Sequence, residues 1–148
     1  MNSSPILDTT LRWLIVLLAM VSFFLLLRGH NEPGGGFSAG LLAASAIIIM
    51  TIAYGADAGR KLLYFHPLSY ISVGLIVAVI AGIFNLDVAF MRSIWITIPL
   101  GFSTVKFGSP LLFDLGVYIL VLGVVSLFVL EIESAQNISE DDEKKEEL

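Results

Sequence analysis

The sequence predicts an all-α integral membrane protein with four transmembrane helices and a short non-helical insert between the third and fourth. Three observations carry this. The 148 residues are 57% hydrophobic and only 14% charged, with a mean hydropathy of +0.90; a soluble domain of this size keeps far more charge on its surface. The apolar residues gather in long runs at 11–27, 37–54, 68–84 and 111–130. Each run approaches the roughly 20 residues that span a hydrocarbon core of about 30 Å. Prolines, glycines and charges fall between the runs.

The first helix is expected to start near Asp8-Thr9-Thr10, whose side-chain oxygens suit an N-cap, and to end at Arg28-Gly29. A cleaved leader is not expected there: Asp8 precedes the run, Arg12 lies within it, and Arg28 follows where a small-residue cleavage site would stand. Pro33 and Gly34-Gly35-Gly36 break the chain, so the second helix opens at Phe37 or Ser38. Residues 55–61 read as a polar turn. Pro67 suits the first turn of helix three, and Ser109-Pro110 a cap and first residue for helix four. Between them, 94–98 is β-branched and aromatic, Pro99-Leu100-Gly101 reads as a turn, and 105–107 as a returning strand. A small β-hairpin on the membrane surface and an irregular loop both fit this segment.

Charge is unevenly placed. Of thirteen acids, eight lie at or beyond Glu131, opposed there only by Lys144 and Lys145, so residues 131–148 carry −6 and residues 1–130 carry +1 of the net −5. Such a tail is expected to be solvated and disordered. Residues 1–130 form one membrane domain, and nothing in the chain clusters cations as nucleic-acid binding requires. Arg12, Arg60 and Lys61 fall on the side of the termini, while Arg28, Arg92 and Lys106 fall opposite; with the tail lysines counted, the balance leans towards cytoplasmic termini. Cysteine is absent, which excludes disulfides and thiolate chemistry. No metal site, cofactor or enzymatic grouping is expected: His30 and His66 stand in different loops without ligand spacing, and there is no water-exposed cleft of catalytic groups. Gly34 to Ala39 formally matches a dinucleotide-binding pattern, but a membrane run precedes it where a strand is needed.

The glycines read as geometry. Gly36, Gly40 and Ala44 make one flat face on the second helix; Gly74, Ala78 and Gly82 make another on the third. Small faces let membrane helices touch closely. Packing within the chain explains one such face, and two leave surface for other subunits. His30 and Glu32 are candidates for contact with a hydrated ion path or, more plainly, for fixing the loop. Asp114 is the one carboxylate inside a spanning run. It fits either an ion-path role or the first turn of its own helix, where an anion meets the positive dipole end.

These residues carry a family resemblance. Arg28-Gly-His-Asn-Glu-Pro-Gly-Gly-Gly-Phe-Ser-Ala-Gly-Leu41 resembles the signature of the MnhB family, the MrpB-type component of Mrp-type multisubunit Na⁺/H⁺ antiporters. Leu111-Leu-Phe-Asp-Leu-Gly-Val-Tyr-Ile-Leu-Val-Leu-Gly123 is similar to that family's last helix. The motif positions are Gly29, His30, Asn31, Glu32, Pro33, Gly34, Gly35, Gly36 and Phe37, with Gly40 on the same helix, then Asp114, Gly116 and Tyr118. The resemblance implies an accessory subunit of a bacterial plasma-membrane antiporter that exchanges Na⁺ for H⁺. Its partners would be the large A-type and the small C-type components and the rest of the complex, with no cofactor. The alternative readings are a membrane-arm subunit of a redox-driven complex, such as a hydrogenase or a complex I-like assembly, or a purely structural assembly subunit.

Overall fold

The computed structural model describes residues 5–29, 35–83, 95–100 and 103–146. Among these are five helices and one two-stranded ladder: α1 (Pro5–Arg28), α2 (Gly35–Tyr54), α3 (Ala56–Lys61), α4 (Pro67–Ile83), β1 (Trp95–Leu100), β2 (Ser103–Gly108) and α5 (Ser109–Glu146). α1, α2 and residues Pro110–Asn137 of α5 are long and apolar enough to cross a membrane. α4 is also apolar but has 17 residues, about 26 Å at 1.5 Å per residue.

α5 is the centre of the bundle. α2 packs along one side of it and α4 along the other, while α1 lies chiefly against α2. Most buried positions are small, among them Ala39, Ala44, Ala46, Ala78 and Ala81, with Leu26, Ile47 and Leu130 the larger exceptions, while large apolar side chains such as Trp13, Phe23, Phe24, Ile52 and Ile76 are exposed. A water-soluble bundle does the reverse. Small residues inside and large ones outside is the arrangement expected where lipid supplies the outer apolar contact and van der Waals fit holds the helices together.

Several local expectations are corrected. α1 begins at Pro5, ahead of the expected Asp8-Thr9-Thr10 cap. Thr9 and Thr10 instead donate their hydroxyls to the carbonyls of Pro5 and Ile6, at 2.8 and 2.9 Å, the back-bonding that threonines make inside a helix. α2 begins at Gly35, so Gly35 and Gly36 belong to the helix and not to the break. The polar turn is a six-residue helix, α3. Gly55, at φ +87°, turns the chain into it, and Gly59 buries against Thr51 and Leu130. Arg60 of α3 reaches Glu131 of α5 at 3.5 Å, with both side chains about half exposed. α5 does not stop near Leu130 but runs on to Glu146. Glu and Lys are good helix formers, and a helix already nucleated within the bundle needs no new nucleus to continue.

β1 and β2 pair antiparallel, Trp95 opposite Gly108 and Leu100 opposite Ser103. Pro99 and Leu100 therefore lie in the ladder and not in the expected turn. A proline is tolerated here because a two-stranded ladder consists of edges.

Candidate functional site

The two motifs that stand out in the sequence meet in space. α2 begins against the second turn of α5. A side chain built on Gly36 would collide with the Asp114 carbonyl group, and one on Gly40 would lie 2.8 Å from the Tyr118 carbonyl oxygen and 3.0 Å from the Val121 side chain. Glycine is required at both positions because backbone, which cannot swing aside, fills the space.

The Asp114 carboxylate sits at the start of α2. A Cβ placed on Gly35 would stand 3.4 Å from Oδ1 and 3.7 Å from Oδ2, and Gly35 has φ +86°, a conformation other residues adopt only with strain. The carboxylate is half-buried. It is not in the first turn of α5, and the nearer positive helix end is that of α2, whose first N–H groups have no intrahelical acceptor. The carboxylate thus lies beside the start of α2 and not, as one of the two sequence readings had it, in the first turn of its own helix. Ser38 donates to the Gly35 carbonyl at 3.3 Å.

One turn further along α5, Tyr118 joins a small polar cluster. Ser22 of α1, fully buried, donates to the Ala39 carbonyl of α2 at 2.9 Å and shares a hydrogen bond with the Tyr118 hydroxyl at 3.3 Å. A serine has one proton to give, so with that proton on Ala39 the tyrosine supplies the second bond. Three helices are tied by these two hydroxyls. Ser22 was not among the residues that the sequence singled out.

Gly116 faces the other way, towards α4. Its Cβ would lie 2.5 Å from the Ala78 nitrogen, and a Cβ on Gly74 would lie 2.8 Å from the Gly116 oxygen. Both small faces are therefore spent on opposite sides of α5, and the surface expected to remain for other subunits is used within the chain.

Gly29 closes the end of α1 against Gly35, donating to the Leu25 carbonyl at 2.9 Å. Arg28 places its guanidinium 6.0 Å from the Phe24 ring centre. Phe37 points outward, 63% exposed. His30, Asn31, Glu32, Pro33 and Gly34 lie outside the described residues. His66 is exposed, and its Nδ1 accepts from the Leu68 amide at 3.4 Å, a capping role for α4. Among the described residues no three His, Asp or Glu side chains converge as a metal site would need.

Fold and site together define a multi-pass helical membrane protein built around a glycine-lined joint that carries one carboxylate. The chain belongs to the MnhB family: residues 6–127 match the domain related to the MnhB subunit of Na⁺/H⁺ antiporter. It is 32% identical over 128 residues to the B component of the Na(+)/H(+) antiporter of Bacillus subtilis, a match covering 84% of this chain and 89% of that one. It is 34% identical over 124 residues to the A/B component of a probable K(+)/H(+) antiporter of Rhizobium meliloti, covering 81% of this chain but 12% of that much longer one. Among solved structures it is similar to a chain in the Mrp complex from Dietzia sp. DQ12-45-1b, at a TM-score of 0.69 and 30% identity; the match covers 88% of this chain and 15% of that chain.

Proposed function

We propose that this chain is an accessory membrane subunit of a multisubunit Na⁺/H⁺ antiporter in the bacterial plasma membrane. On this reading it crosses the bilayer four times, α4 included, with both termini cytoplasmic, and it packs beside the large A-type and the small C-type components. Na⁺ and H⁺ are carried by the whole complex and not by this chain alone. The reading is supported by family membership and by one observation above all: the half-buried Asp114 carboxylate lies where the two family motifs meet, against Gly35. An ionisable group held there can take a proton or draw a cation while altering the charge at the start of α2. His30 and Glu32, in the adjoining segment, are the groups proposed to continue such a path.

The same contact favours a second reading, in which Asp114 only holds the α2–α5 joint and the chain serves assembly. Asp114→Asn separates the two. It keeps size and hydrogen-bonding capacity but cannot titrate. With the complex purified intact, Na⁺-driven proton movement into inverted membrane vesicles is expected to fall at least about tenfold, a barrier change of roughly 1.4 kcal/mol. Undiminished exchange in Asp114→Asn and Glu32→Gln would leave the assembly role. Redox proteins copurifying with the wild-type chain would overturn the antiporter reading itself.

A further inference from the structure

Between α1 and the α2–α3 corner runs an open groove of about 520 Å³ that the proposed function does not use. Its walls include Ile15, Val16 and Met50, and its rim carries Arg12 and Lys61. The polar and apolar parts are separated along the helix axes. Arg12 lies in the first half of α1, Lys61 ends α3, and Tyr54 ends α2, so the cations share one end of the bundle. Val16 lies one turn further along α1 and Met50 one turn back along α2, both nearer the middle of their helices. Arg12 and Lys61 are exposed. Asp8, the acid on the same rim, accepts a hydrogen bond from the Tyr54 hydroxyl, and the lining residues sum to one net positive charge.

We infer that this groove binds an anionic phospholipid, its phosphate between Arg12 and Lys61 and one acyl chain along Ile15, Val16 and Met50. An apolar wall beside a pair of cations matches the two halves of such a lipid. Basic pockets between membrane helices are known to hold acidic headgroups in this way, and the long stems of Arg and Lys can lie on apolar wall while their charged ends reach the interface. A zwitterionic lipid offers the same chain but brings its own cation to the rim, so charge selects between them. The inference rests on the membrane setting of the helices and not on ion exchange.

The test places the intact complex in nanodiscs of equal phosphatidylglycerol and phosphatidylcholine. Lipid retained after detergent exchange is then counted by native mass spectrometry. Wild type is expected to retain phosphatidylglycerol selectively. Arg12→Gln with Lys61→Gln should cut that retention by about fivefold per cation removed. Asp8→Asn, which still accepts from Tyr54 but sheds a negative charge, should raise it. Equal retention of the two lipids, or retention unmoved in the double variant, overturns the inference. Should the double variant not assemble, Asp8→Asn decides alone, and unchanged or lowered retention overturns it. A cross-link from Val16→Cys to a neighbouring protein of the complex in place of lipid also overturns it. Retention is read without any transport assay, so failure here is distinguishable from failure of the antiporter reading.

Discussion

Gly36→Ala tests the α2–α5 joint most directly, because the obstacle is backbone. A Cβ on Gly36 would stand 2.7 Å from the Asp114 carbonyl carbon and 3.0 Å from its Cα, with the carbonyl oxygen nearer still. Carbon atoms rest at about 3.5–4.0 Å, so α2 and α5 must part by roughly 1 Å at the joint. A gap of that size forfeits a quarter to a half of the dispersion energy of the contacts it opens. Overpacking typically costs about 1–3 kcal/mol, and the upper end applies where no side chain can move aside. Replacing a helical glycine by alanine returns about 1 kcal/mol of propensity. The net loss is about 2 kcal/mol, close to 30-fold in the ratio of folded to unfolded chain. The assay is the heating midpoint of the purified complex followed by size-exclusion fluorescence, with exchange measured per assembled complex. The midpoint and yield should fall while exchange per complex stays near wild type. Gly36→Leu should do the same more severely. A midpoint unchanged or raised would mean that propensity alone is being read and that α2 does not touch Asp114, which would refute the packing described above.

Three further outcomes are expected. Thr51 is fully buried and its hydroxyl has no hydrogen-bond partner among the described residues; since an orphaned buried polar group costs about 1–3 kcal/mol, Thr51→Val should raise the heating midpoint, and a fall would reveal a partner supplied elsewhere. Ser22→Ala removes the link to both Ala39 and Tyr118 and should cost about 1 kcal/mol in the same assay. Tyr118→Phe should cost less, because Ser22 keeps its bond to Ala39. Arg60→Gln breaks a pair whose side chains are 47% and 60% exposed; solvent screening limits its worth to about 0–1 kcal/mol, so the midpoint should barely move, and a large drop would show that α3 is held by that pair and not by the burial of Gly59.

The helices were legible because lipid imposes a length and a composition that survive in the sequence as apolar runs. Their ends were less so. Thr9 and Thr10 look like caps, yet equally satisfy carbonyls inside a helix, and only the position of Pro5 decides. Gly35 and Gly36 look like a break, yet continue a helix because α5 packs against them, a long-range contact that no local pattern encodes. The flat faces on α2 and α4 were visible as glycine and alanine spacing, but the pattern cannot say what lies opposite; α5 answers for both. Asp114 and the glycine motif were each conspicuous, and their meeting was not, since Gly36 and Asp114 lie 78 positions apart in the sequence. Ser22 was hidden for the opposite reason, because a single serine in an apolar run carries no pattern at all.

What the described interior contains bears on how such a protein works. The polar groups buried within it are the hydroxyls of Ser22, Thr51 and Ser126. Ser126 donates to the Leu122 carbonyl of its own helix, and Ser22 is committed to Ala39. Hydroxyls of this kind can relay a proton but do not ionise at physiological pH, whereas carboxylates are ordinarily ionised there. Asp114 is the carboxylate within the apolar part of α5, and it stands at one end of that helix, with the spans beyond it closed by glycine and alanine contacts. The next titratable side chain described along α5 is Tyr118, one turn on, whose hydroxyl is tied to Ser22. On the proposed reading a path through Asp114 continues by way of His30 and Glu32 to neighbouring proteins of the complex, which suits an accessory role better than transport by the chain alone.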